Sequence, residues 1–145
     1  MYNILVTGDR NWTEYPVVFE ALTKAWEDFS KYAKTKGTSS RNITVIHGGA
    51  TGADRIAGTA AYRLGFGTHV YPANWSKYKK GAGPTRNQLM LKENKIDLVL
   101  AFHDDLKNSK GTLDMVTRAI QAGIKVRHYR SDGLFIERTQ LPFEF

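Results

Sequence analysis

The sequence predicts an α/β fold: one domain over residues 1–145, built on a mostly parallel five-stranded sheet with helices on both faces. Strand-like and helix-like periodicities alternate along the chain, the pattern of a parallel sheet with helical crossovers. Residues 97–102 are nearly continuous in apolar side chains, as a central parallel strand covered on both faces requires. Several strand ends run through glycine directly into a helical pattern, the usual form of a strand-to-helix turn in such folds.

Asn3 to Thr7 reads as a buried first strand ending at Gly8. A long amphipathic helix starts near Thr13 to Pro16, with Val18, Leu22, Ala25, Phe29 and Tyr32 along one face. Thr35 to Arg41 is polar and reads as a surface loop. The second strand, Ile43 to His47, runs into Gly48-Gly49 and a helix faced by Ala53, Ile56, Ala57, Ala60, Ala61 and Leu64. Those residues are small, so this helix can lie close to the sheet. Thr68 to Tyr71 is a short third strand, and Pro72 to Pro84 reads as irregular, aromatic and basic. A short helix is expected over Arg86 to Leu91, a fourth strand over Asp97 to Phe102, and a helix over Gly111 to Ala122 stopped by Gly123. Lys125 to Tyr129 is the fifth strand. Residues 134–145 either add an edge strand or pack a Phe143/Phe145 pair.

A chain of 145 residues buries about 68–70% of its unfolded surface, enough to fold without a metal or disulfide staple. The absence of cysteine removes thiolate nucleophiles and Cys-ligated zinc from consideration. The apolar run Ile4-Leu5-Val6 is too short for a signal peptide and no stretch approaches membrane-spanning length; the expectation is a cytoplasmic protein without membrane contact. The net charge of +7 favours phosphate ligands and also attracts nucleic acid, expected here as weak association. No residue set calls for a metal or organic cofactor, because Asp104-Asp105 is a bare pair. Oligomeric state, homo-oligomers included, is left open.

Ligands of open α/β sheets bind beyond the carboxyl ends of the strands. Here those ends carry Gly8-Asp9-Arg10-Asn11-Trp12, then His47-Gly48-Gly49-Ala50-Thr51-Gly52-Ala53-Asp54, then Ser109-Lys110-Gly111-Thr112. Glycine lets backbone approach a ligand, and a helix start offers unpaired N–H groups to phosphate. The second loop has no Lys-Ser/Thr pair after its glycines and lacks the dinucleotide Gly-x-Gly-x-x-Gly spacing, so ATP hydrolysis and nicotinamide binding lose ground. Between the second and third loops, Tyr71, Trp75 and Tyr78 interleave with Lys77, Lys79 and Lys80. Gly81-Ala82-Gly83-Pro84 then precedes Arg86-Asn87 and reads as a hinge that folds Arg86 over a phosphate. Trp75 is placed either to stack a base or to anchor the loop.

The runs Ile4 to Trp12, His47 to Asp54, Tyr71 to Trp75 and Ala82 to Asn87, with Lys110-Gly111-Thr112, resemble the YspA-like branch of the SLOG superfamily. That superfamily joins the DNA-processing protein A fold to the Lonely Guy phosphoribohydrolases. The resemblance spans about residues 3–128 and implies a Rossmann-like fold that recognises nucleotides or related phosphorylated sugars. It implies that Gly48, Gly49 and Gly52 form the main phosphate loop. It also implies that Arg86 replaces the Lonely Guy arginine and that Gly111-Thr112 matches a glycine-threonine pair. This chain reads Lys107-Asn108-Ser109 where those enzymes have Pro-Gly-Gly, and Met115 where they have the catalytic glutamate. Asp114 is adjacent but points about 100° away around a helix, which makes it a poor substitute for that glutamate.

Three functions follow in order of preference. The first is binding of a nucleotide or nucleotide-derived phosphorylated ligand, to sense or sequester it. Its expected contacts are Gly8, Asp9, Arg10, Gly48, Gly49, Ala50, Gly52, Asp54, Trp75, Arg86, Asn87, Ser109, Gly111 and Thr112. The second is N-glycosidic or phosphoribosyl hydrolysis, with acid groups drawn from Asp54 and Asp114 first, then Asp9, His103, Asp104 and Asp105. The third is nucleic-acid binding through the aromatic-basic stretch. Lone histidines at strand ends, His47 and His103, read more readily as structural.

Overall fold

A computed structural model describes residues 1–32, 39–143 and 145 of the chain. Six strands form one sheet: β1 (Tyr2–Gly8), β2 (Ile43–His47), β3 (Gly67–Val70), β4 (Leu98–Phe102), β5 (Val126–Tyr129) and β6 (Phe135–Arg138). Their order is β3-β2-β1-β4-β5-β6; the first five are parallel and β6 runs antiparallel to β5. The chain steps outward from β1 to β3, then returns to the other side of β1. The strand order therefore reverses between β1 and β4, the position where such sheets open a crevice.

The helices are α1 (Tyr15–Tyr32), α2 (Ala53–Leu64), α3 (Trp75–Tyr78), α4 (Ala82–Glu93) and α5 (Gly111–Gln121). Alternation along β1 sends Ile4 and Val6 to one face and Leu5 to the other. Ile4 and Val6 join Val18, Leu22 and Ala25 of α1 and Ala57, Ala60 and Ala61 of α2. Leu5 joins Ile46 and Val99 beneath Met90 of α4 and Met115, Val116 and Ala119 of α5. Helices thus cover both faces, as the sequence implies. No helix among the described residues is long and apolar enough to cross a membrane.

Three expectations are corrected. The sheet has six strands rather than five, because Arg130 N–H donates to the Leu134 carbonyl at 2.9 Å and closes a hairpin that adds β6. The Phe143/Phe145 pair forms as well, with ring centroids 5.5 Å apart. Helix α4 begins at Ala82 rather than near Arg86, so the Gly-Ala-Gly-Pro segment is helical and not a hinge. Pro84 is tolerated there because the first-turn N–H groups have no intrahelical partner to lose. The apolar stripe of α1 ends before Tyr32, which is exposed. Residues 35–38 of the expected surface loop lie outside the described residues; Ser40–Asn42 form a short 3-10 turn.

Candidate functional site

The β1 end is fixed from below. Asp9 N–H continues the ladder to the Phe102 carbonyl at 2.8 Å, and the Asp9 carboxylate accepts the Asn11 N–H at 2.8 Å. Trp12 is buried with its ring 5.6 Å from Phe102, while Arg10, earlier in the same loop, is exposed. Ala53 N–H donates to the Asp9 carbonyl at 3.0 Å, seating the start of α2 against this loop. A Cβ on Gly52 would strike the Asp9 and Arg10 carbonyls, and its φ of +76° belongs to glycine. Gly52 is therefore a packing position between two loops and lines neither recess described below.

The β2 loop turns its amides inward. The Asp54 Oδ2 atom accepts the N–H groups of Gly48 at 3.1 Å and Ala50 at 3.3 Å, and His47 Nδ1 accepts that of Gly49 at 3.0 Å. Three of the amides expected to cradle phosphate already have protein acceptors. Above them, Arg86 Nη1 donates to the carbonyls of Gly48 at 2.9 Å and Tyr71 at 3.3 Å, and Nε donates to Asn87 Oδ1 at 3.0 Å. A Cβ on Gly48 would collide with that guanidinium. Gly48 is thus a glycine because Arg86 lies on it. Arg86 is mounted on a helix and held in place, while Nη2 has no partner shown among the described residues.

The β4 side supplies a different set. Ser109 Oγ accepts the Leu113 N–H at 3.0 Å and caps α5, so its hydroxyl is engaged in structure. The Gly111 and Thr112 N–H groups have no protein acceptor among the described residues, and a Cβ on Gly111 would meet nothing within 4 Å. Asn87 is buried and binds three ways. It accepts from Arg86, and its Nδ2 donates to Asp114 Oδ2 at 2.9 Å and the Gly111 carbonyl at 3.4 Å. Arg118 Nε also reaches Asp114 Oδ2 at 2.9 Å. Met115 is sealed in the core while Asp114 lines the cleft. The angular offset from the Lonely Guy glutamate position therefore does not turn Asp114 away from the site, as the sequence alone suggests it should.

These parts enclose a cleft of about 700 Å³ along the carboxyl edge. A smaller recess of about 280 Å³ lies beside it, walled by Gly48, Gly49, Thr51, Pro72 and Ala73. Arg10, Ala50, Trp75 and Arg86 border both. Trp75 is half exposed, and the Arg10 guanidinium carbon lies 5.8 Å from its ring centroid. Apart from Gly52, the expected contacts are brought together, with Gly48 and Gly49 on the smaller recess. The cleft also takes in Thr7, Lys80 and Lys110, which sequence reasoning did not assign. Lys110 carried a usable signal, since it immediately precedes the glycine that starts α5.

Charge in the cleft is mixed. Burial pushes the Asp54 carboxyl up to about 6, against the lowering pull of the Ala50 and Gly48 amides and of Arg86. Burial lowers Arg86 from its usual range, and Asp54 partly restores it. His47 is lowered by burial and then by Arg86, which suits a neutral ring accepting the Gly49 N–H. His103 Nδ1 accepts the Asp105 N–H at 2.9 Å, a loop-holding contact. Asp104 accepts the Ser131 N–H at 2.7 Å, tying the β4 loop to the β5–β6 turn, and Asp105 binds Asn108 within its own loop, so both carboxylates serve structure.

Comparison with known proteins gives two matches. The model of the YspA, cpYpsA-related SLOG family matches residues 2–78, which hold the β1 loop, the β2 loop and Trp75. Gene 61 protein of Mycobacterium phage D29 is 34% identical over 134 residues, covering 89% of this chain and 97% of that protein. No solved structure matches the chain.

Proposed function

The chain belongs to the YspA, cpYpsA-related SLOG family, and from that premise we propose that it binds a nucleotide or nucleotide-derived phosphorylated ligand across the carboxyl edge of the sheet, to sense or sequester it. The observation that carries this reading is the pair of open Gly111 and Thr112 amides at the start of α5, beside Lys110. A helix N-terminus with a lysine suits a phosphate. Trp75 offers a half-exposed aromatic face in the same cleft, suited to a base. Arg86 borders that cleft with its guanidinium held by Gly48, Tyr71 and Asn87, which leaves Nη2 for the phosphate and little side-chain freedom to lose on contact.

Thermal unfolding with nucleoside monophosphates and the matching nucleosides tests this. At one hundred times its dissociation constant, a nucleotide should add about 2.7 kcal/mol of stability, and the nucleoside far less. Equal stabilisation by both would remove the phosphate site.

A second reading, N-glycosidic hydrolysis, is favoured by one observation: Asp54, with its carboxyl near 6, and Asp114 line the same cleft. One would serve as proton donor and the other would stabilise a developing oxocarbenium centre. Sustained release of free base in proportion to protein, lost on changing Asp54 or Asp114, would establish turnover. The binding reading expects little or none.

A further inference from the structure

Two recesses meet at the carboxyl edge, and they differ in charge. The large cleft is lined by Asp9, Asp54 and Asp114 as well as by cationic side chains. Among the described residues, no carboxylate lines the smaller recess, and its two charged side chains are both guanidiniums, those of Arg10 and Arg86. The carbonyls of the Gly48-Gly49 turn that walls it are covered as well. Arg86 Nη1 donates to the Gly48 carbonyl at 2.9 Å, and Arg55 Nε donates to the Gly49 carbonyl at 3.3 Å. A Cβ on Gly48 would collide with the Arg86 guanidinium, so the turn is built to seat that cation. Arg10 forms no hydrogen bond or ion pair among the described residues, and its guanidinium carbon lies 5.8 Å from the Trp75 ring centroid. Trp75 thus borders Arg10 without taking any of its N–H donors.

A concave surface lined by one sign of charge focuses its field and gathers counter-ions. The two cations also act on each other: Arg86 is lowered from its usual range by burial and then by Arg10, with Asp54 partly restoring it. An anion beside both relieves that repulsion. At about 280 Å³ the recess falls just short of the roughly 300–1,000 Å³ of a pocket that holds a whole ligand, so it suits one group of a ligand. The neighbouring cleft of about 700 Å³ lies inside that range and shares Arg10, Ala50, Trp75 and Arg86 with it, so one ligand can enter both. The phosphate at the start of α5 is not the group that fills the recess, because Lys110, Gly111 and Thr112 line the cleft alone. Resting on the nucleotide reading above, we infer that the smaller recess is a second phosphate subsite, with Arg10 supplying donors and Arg86 charge, so that the preferred ligand is a nucleotide bearing two separate phosphate groups. A terminal phosphate and a diester link to a second nucleoside share that chemistry.

Calorimetric titration with nucleoside 5′-monophosphates, nucleoside 3′,5′-bisphosphates and 5′-phosphorylated dinucleotides, base by base, tests the inference. A charge-assisted contact corresponds to roughly ten- to a hundred-fold in affinity, so a bisphosphate or a dinucleotide should bind tighter than the monophosphate by that factor. Which of the two gains it distinguishes a terminal group from a diester link. Added phosphate raises affinity for any cationic protein, so the charge-matched variants Arg10→Ala and Arg130→Ala decide the matter. Arg130 lies at the β5–β6 turn, outside both recesses. In Arg10→Ala the preference for the doubly phosphorylated ligand should fall to within about three-fold, and in Arg130→Ala it should stay as it is in the unaltered protein. Monophosphates bound as tightly as both doubly phosphorylated classes would overturn the inference and leave the nucleotide reading standing. A preference that Arg10→Ala leaves unchanged, or that both substitutions lower equally, would overturn it too. If no nucleotide of any class binds, the nucleotide reading itself fails and takes the inference with it.

Discussion

Replacing Asp54 by Asn should make the protein more stable at neutral pH, and the effect should vanish in acid. The folded carboxyl titrates near 6, while an unfolded aspartate titrates near about 3.9. Below about pH 4 the group is protonated in both states and contributes no pH-dependent difference. Between about pH 4 and 6 the unfolded chain releases its proton and the folded chain keeps it, so stability falls as pH rises. Above about pH 6 the penalty is complete, and two units at 1.36 kcal/mol each make it ~3 kcal/mol. Asp54 is nearly fully buried, so solvent screening does not reduce this much. Asparagine keeps the shape, can accept the Gly48 and Ala50 N–H groups, and carries no charge. Asp54→Asn should therefore exceed the unaltered protein by ~2–3 kcal/mol at pH 7.5 and match it within ~0.5 kcal/mol at pH 4. In melting temperature, the gain at pH 7.5 is on the order of 4–12 °C. Urea unfolding of both proteins at pH 4.0, 5.5 and 7.5 reads the difference directly. A variant less stable at pH 7.5, or a gap that does not change with pH, would refute the reasoning. A stabilising substitution at a cleft residue is what a site kept for binding rather than for stability produces.

Arg86→Ala should weaken nucleotide binding by about ten- to a hundred-fold, and Arg86→Lys should recover only part of the loss because a single ammonium cannot hold the Gly48, Tyr71 and Asn87 contacts and still present a donor to the ligand as Nη2 does; calorimetric titration showing unchanged affinity with the fold intact would place the site elsewhere. Gly48→Ala puts a Cβ where the guanidinium lies, so it should reproduce the Arg86→Ala loss. In a double-mutant cycle the combined variant should then be only slightly worse than either single change. Despite the +7 charge, binding to DNA or RNA should be weak and should fade steeply with added salt. A sub-micromolar complex persisting at about 0.15 M salt would contradict that.

Much of the fold was legible because its core is patterned by simple periods. The expected bounds of β2 match the structure, and α2 shows itself through Ala53, Ala57, Ala60 and Ala61 at helical spacing. Helix α4 was legible only in part, because it buries Ala82, Asn87 and Met90 rather than an apolar stripe. A helix whose buried face includes an asparagine gives little signal to a hydrophobic count. Strand β6 was left open because Ile136 is exposed and Phe135 only partly covered, although Asp132-Gly133 before it is a hairpin signal. In the site, residue type and strand-end position were enough to gather most of the lining. Hydrogen-bond partners were not legible, since the Arg86–Gly48 bond joins residues 38 apart in sequence.

Those partners decide where an anion can sit. For phosphate to use the Gly48 and Ala50 amides it would have to displace the Asp54 carboxylate from both. Leaving a buried charged acceptor unmet costs about 1–3 kcal/mol or more. A phosphate gains only about 0.3–1 kcal/mol from a helix end, reaching roughly 2 in partly buried geometry. The exchange is unfavourable while Asp54 is ionised. At the start of α5 nothing has to be displaced, because the Gly111 and Thr112 amides have no protein acceptor among the described residues. On the proposed nucleotide reading the two glycine-bearing loops divide the work: the β2 loop holds Asp54 and makes room for Arg86, and the α5 loop would receive the phosphate.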